Sequence, residues 1–102
     1  MILEVAILNV KPNQAQEFEA AFNQAQNIIS SIDGYISHQL QKCIEKPNRY
    51  ILLVNWQTLE SHTISFRESE QYQQWRALLH HFYDPFPEVE HYQSIYQHGL
   101  VK

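Results

Sequence analysis

The side chains able to do chemistry in this chain of 102 residues are six histidines, one arginine beside a tyrosine, and several large aromatics. His62 stands among apolar positions in Leu59–Phe66, just after a strand-like run. Imidazole titrates near neutrality, so His62 is a candidate to take a proton or to hold an anion. The same residue also suits a structural role, bonding a backbone carbonyl where a helix meets a sheet. Arg76 follows Tyr72 by four residues, which puts both on one side of a helix. Together they suit an anionic or phenolic substrate; alone, Arg76 suits a solvated pair with Glu70 or Glu88. Trp56 offers either a stacking surface for an aromatic ligand or plain core.

The remaining candidates are weaker. His80 and His81 are adjacent and leave a helix in different directions, while His38, His91 and His98 fall on strand-like runs. No cysteine or carboxylate completes a metal-ligand spacing, so no metal is expected. Cys43 has only Lys42 as a basic neighbour and reads as inert. No glycine-rich phosphate loop is present, so a nucleotide cofactor is not indicated.

The elements that must position these residues follow from periodicity. Ile2 to Val10 reads as a strand with two apolar faces, Glu4 and Asn9 being its polar exceptions. After Lys11-Pro12, Asn13 is the expected cap of a helix of about five turns. Its stripe is Phe18, Phe22, Ala25, Ile29 and Ile32, starting from Ala15, and Asp33-Gly34 is its stop. Tyr35 to Ile44 is a second strand with a wetter face, Glu45 to Asn48 a turn, and Arg49 to Gln57 a third strand, again apolar on both faces. Thr58 is placed to cap a short helix carrying His62 and Phe66. Ser69 is placed to cap a longer one carrying Tyr72, Trp75, Leu79 and Phe82. Asp84 to Pro87 ends it, and Val89 to His98 reads as the last strand.

The order β-α-β-β-α-β predicts a ferredoxin-like α+β domain over residues 1–102: a four-stranded antiparallel sheet with both helices on one face. Its two central strands are apolar on both faces and the helices cover one. A second copy is the simplest cover for the other, so a homodimer is expected. A net charge of -4 with only 7 Lys and Arg, unclustered, argues against nucleic acid. Apolar runs of at most four residues argue against a membrane span. The single cysteine and the start Met1-Ile2-Leu3-Glu4, without a basic region, predict a cytoplasmic protein with no secretory signal.

Several stretches carry a family resemblance. They are Phe18 and Phe22, Asp33-Gly34-Tyr35, the run Val54 to His62, the run Ser69 to Trp75, and Phe82. In order and spacing, from about residue 2 to 98, the chain resembles the antibiotic biosynthesis monooxygenase domains of the dimeric α+β barrel superfamily. One branch of that family oxidises polycyclic phenols with molecular oxygen and neither metal nor flavin. The deprotonated substrate supplies the electron. Its tryptophan and arginine look like Trp56 and Arg76. Its asparagine and tyrosine fall near Leu52 and His62 and do not match, with Asn55 as a substitute on the opposite side of the strand. A haem-degrading branch needs an Asn, Trp and His triad; Val5, Phe66 and Arg76 stand there instead, which disfavours haem. The resemblance thus implies a cofactor-independent monooxygenase acting on a small aromatic or quinol-type substrate between helices and sheet. His62 would be base or donor, Arg76 the anion holder, and Trp56, Asn55, Phe66 and Tyr72 the substrate contacts. An isomerase or degradative enzyme for a small carbonyl compound, and a dimeric ligand-binding module without turnover, are the competing expectations.

Overall fold

The computed structural model describes residues 1–99; the last three residues of the expected domain lie outside that range. The elements are β1 (Ile2–Asn9), α1 (Ala15–Ile29), β2 (Tyr35–Lys42), β3 (Arg49–Trp56), a π-helical segment (Ser61–Phe66), α2 (Glu70–Leu79), a 3-10 turn (His80–Phe82) and β4 (Val89–Tyr92). The strands form one antiparallel sheet in the order β2-β3-β1-β4. This is the ferredoxin-like α+β arrangement.

Strand alternation sorts the sheet into two faces. Ala6 and Leu8 of β1 and Tyr50, Leu52, Val54 and Trp56 of β3 are buried beneath the helices. Phe18, Phe22, Ala25 and Ile29 of α1, with Trp75 and Leu79 of α2, close the core from above. Aromatic rings interlock there: Phe18 lies 4.9 Å from Tyr50 and 5.7 Å from Phe82, and Phe22 lies 5.8 Å from Trp75. Such pairs contribute roughly 0.5–1.5 kcal/mol each beyond area burial. Leu3, Val5 and Ile7 of β1 occupy the opposite face with Ile51 and Leu53 of β3, and Ile7 is 45% exposed.

Several boundaries differ from expectation. Asn13 is not the α1 cap; it takes a left-handed φ of 66°, which Asn tolerates better than most residues, and α1 starts after Gln14 without a side-chain cap. α1 ends at Ile29, yet Ile32 in the following turn stays buried. Phe82 belongs to the 3-10 turn rather than to α2. The second strand stops at Lys42, leaving Ile44 exposed. The last strand ends at Tyr92, not His98, and Ile95 and Tyr96 are exposed. The reason is its partner: Tyr92 already pairs with Leu3, so β1 runs out of residues at its own start.

Two caps agree with expectation. Ser69 Oγ accepts from the Tyr72 N–H at 3.1 Å, and Thr58 Oγ1 accepts from the Ser61 N–H at 3.1 Å. The π-helical segment is wider than an α-turn, with the Arg67 N–H donating to the His62 carbonyl five residues back.

Candidate functional site

A cavity of about 600 Å³ lies between the sheet, α2 and the segment leading into β4. Phe66, Tyr72, Trp75, Tyr83 and Phe86 supply its aromatic lining. Its chargeable lining comprises Glu4 from β1, His62 from the π-helical segment, Arg67 just after it, His80, and Glu88 and Glu90 around the start of β4.

Glu4 is 5% exposed, on the same face as Ala6 and Leu8. Its Oε1 accepts the Trp56 indole N–H at 2.9 Å and lies 3.3 Å from His62 Nε2. Burial lifts its carboxyl to about 7, while the Trp56 hydrogen bond and the Arg67 charge pull the other way. His62 is 3% exposed, stacks on Trp56 and shares a 2.8 Å hydrogen bond between its Nδ1 and His91 Nε2. Burial pushes its imidazole down to about 3, with the Arg67 and His91 charges adding to the fall. His62 is therefore neutral across the physiological range. It has one N–H, and its hydrogen bond runs through Nδ1 to His91, with donor and acceptor set by the tautomer, while Nε2 packs 3.3 Å from Glu4 Oε1. Burial, then the Arg67 charge, also lowers His91.

The fold brings His62, Phe66 and Tyr72 to this cavity. Trp56 is fully buried one layer behind, its ring against His62 and its N–H on Glu4. Asn55 does not reach the cavity: it lies on the other sheet face, where its Nδ2 donates to Ser37 Oγ at 3.1 Å. Arg76 is exposed and not part of the lining. Trp75 and Leu79 set the buried direction of α2, and Arg76 is turned about 100° from Trp75. Among the described residues it pairs with neither Glu70 nor Glu88. Its position in the last turn of α2 favours the helix dipole instead.

Three residues of the cavity end were not anticipated: Glu4, Arg67 and His91. Parity carried a signal for two of them. Glu4 falls in the Ala6, Leu8, Val10 set that faces the core, and His91 shares a face with Val89. Arg67, five residues after His62, had no pattern of its own. Among the described residues, no group of three or more His, Cys, Asp or Glu side chains is placed to hold a metal ion, and no helix is long and apolar enough to cross a membrane.

Comparison with known proteins adds kinship to this geometry. The uncharacterized Bacillus subtilis protein YczJ is 56% identical over 95 residues, covering 93% of this chain and all of that protein. A Bordetella bronchiseptica structure, assigned to the antibiotic biosynthesis monooxygenases, is 35% identical over 93% of this chain and 97% of its own, with a TM-score of 0.89. SnoaB, a cofactor-independent oxygenase from Streptomyces nogalater, shares the fold at a TM-score of 0.83 and 16% identity, each chain being 94% covered. The family model for antibiotic biosynthesis monooxygenases matches residues 1–78, a span holding Glu4, His62, Arg67 and Tyr72. The chain belongs to the antibiotic biosynthesis monooxygenase family.

Proposed function

We propose that this protein is a cofactor-independent monooxygenase that oxidises a small phenolic or quinol-type aromatic compound with molecular oxygen. The observation that carries this reading is the cavity, whose aromatic lining meets the buried Glu4 and His62 and the Arg67 guanidinium. Ring walls suit a flat aromatic, and a water-poor end favours an anion held by fixed donors. The cofactor-independent oxygenase SnoaB, which shares the fold, supports the reaction class.

In this reading the substrate loses a proton and its anion passes an electron to O₂. The resulting carbon radical and superoxide combine through a new C–O bond, and a proton completes the hydroperoxide. Its O–O bond then breaks, water leaves and the carbon becomes a carbonyl. One oxygen atom ends in the product and one in water, with all four electrons drawn from the substrate. No metal or organic cofactor enters that balance. Phe66 and Tyr72 form the ring contacts, Trp56 supports them from behind, and neutral His62 is a donor rather than a proton acceptor. Arg67, which lines the cavity, holds the anion in place of the exposed Arg76.

The working unit in this proposal is a homodimer. The apolar face made by Leu3, Val5, Ile7, Ile51 and Leu53 would meet its copy there, in keeping with the family's dimeric barrels. Oxygen uptake by metal-free protein with a panel of hydroquinones and anthrones tests the activity. Uptake above the protein-free rate, lost in Arg67→Met, supports it; uptake equal to the protein-free rate across the panel refutes it.

A further inference from the structure

We propose that Glu4 is the general base of this cavity, its Oε2 taking a proton from a phenol or from a carbon acid beside a carbonyl. The two carboxylate oxygens are in unlike settings. Oε1 accepts the Trp56 N–H at 2.9 Å, and His62 Nε2 packs 3.3 Å from the same oxygen. Oε2 has no hydrogen-bond partner among the described residues. No polar side-chain atom there is both sealed from solvent and unbonded, so Oε2 opens onto the cavity that Glu4 lines. A carboxylate held through one oxygen and free at the other is oriented for proton abstraction.

The neighbours fit that assignment. Trp56 is a positioning residue through its hydrogen bond to Oε1, and His62, held by His91 through the 2.8 Å contact at Nδ1, packs beside that oxygen. The His62 imidazole, held down to about 3 by burial, is itself a poor acceptor. Burial holds the Glu4 carboxyl near neutrality, where a base works best. Arg67 is close enough for its charge to act on Glu4, His62 and His91 alike, so it also favours an anion formed beside them.

In the step itself, the substrate O–H or C–H bond breaks and its electron pair stays behind as a phenolate or enolate. A new O–H bond forms on Glu4 Oε2, and no oxidant takes part. The substrate class is thereby narrowed to compounds acidified by a ring or an adjacent carbonyl, with the anionic oxygen directed to the Arg67 side. The assignment rests on this cavity being the reaction site, but not on oxygen being consumed there.

That independence sets the test. Anthrone is incubated with protein in D₂O without oxygen, and exchange of its methylene hydrogens is followed by NMR. Exchange above the protein-free rate, reduced on the order of a hundredfold or more in Glu4→Gln, supports Glu4 as the base. Glu4→Asp keeps the charge but withdraws it by one methylene, so it should exchange about tenfold or more slower than wild type. It also decides the matter if Glu4→Gln does not fold. Wild-type exchange in folded Glu4→Gln or Glu4→Asp overturns the assignment, as does a wild-type protein that promotes no exchange. Exchange by wild type without oxygen uptake in air keeps Glu4 as the base and refutes oxygenation instead.

Discussion

His62 lies over the indole of Trp56, ring centroids 5.4 Å apart and planes 22° apart, and nitrogens of both rings reach the same Glu4 oxygen. The stack couples a core tryptophan to the cavity end: Trp56 is too deep to touch a ligand, yet it fixes the carboxylate that can.

Removing one partner of that oxygen should be costly. Trp56→Phe keeps most of the ring volume and deletes the N–H that Glu4 accepts. It should lower stability by about 1–3 kcal/mol in urea unfolding, from the lost charge-assisted hydrogen bond and lost contact. A loss within experimental error would mean that the indole acts by packing alone.

The two buried groups leave opposite marks on stability against pH. Glu4 sits at about 7 in the fold against an ordinary 4.5, so the native state keeps a proton that the unfolded chain releases. Its contribution is full below pH 4.5 and is lost as pH rises towards 7. His62 sits at about 3 against 6.5, so its contribution is full above pH 6.5 and is lost as pH falls towards 3. Between 4.5 and 6.5 the slopes oppose each other. Glu4→Gln removes one slope, so its stability relative to wild type should climb from pH 4.5 to 7 by on the order of 3 kcal/mol. Urea titrations at both ends of that window check it; a constant difference would contradict the buried carboxyl.

Arg67 and Arg76 separate a cavity cation from a surface one. Arg67→Met should lower oxygen uptake on the order of a hundredfold, while Arg76→Met leaves it unchanged. The reverse pattern would return the anion-holding role to the exposed face of α2.

Gly34 makes a packing prediction. Its φ is +89°, and a Cβ there would come within 2.7 Å of Ser61 Cβ, at the start of the segment that carries His62. Gly34→Ala should destabilise by more than about 1 kcal/mol and disturb the His62 position. Thermal unfolding and the His62 imidazole NMR signals read both effects.

The open sheet face makes the last. A charge at Val5 or Leu53 would be buried in the proposed dimer interface, so Val5→Asp or Leu53→Asp should give a monomer by light scattering where the wild type gives a dimer. A monomeric wild type would refute the dimer directly.

Much of the frame was legible from local pattern. Period-two alternation in Ile2–Val10 and Arg49–Gln57, the three-and-four spacing of Phe18, Phe22, Ala25 and Ile29, and the Ser69 and Thr58 caps each state a local energetic preference that the fold satisfies. His62, Phe66 and Tyr72 were legible as cavity residues for the same reason, since helix periodicity aims them. Glu4 carried its parity but not its meaning, because a lone acid in an apolar strand gains a role only from what stands opposite. That partner is His91, 87 positions later in the chain and directly across from Glu4 in the β1–β4 register. By itself the sequence determined which residues face inward, because side-chain direction is a local property of helix and strand. Only the tertiary structure decided that Glu4, Trp56, His62 and His91 meet, and that Arg67 rather than Arg76 lines their cavity. Those contacts depend on strand order, register and helix rotation, which are settled by long-range packing.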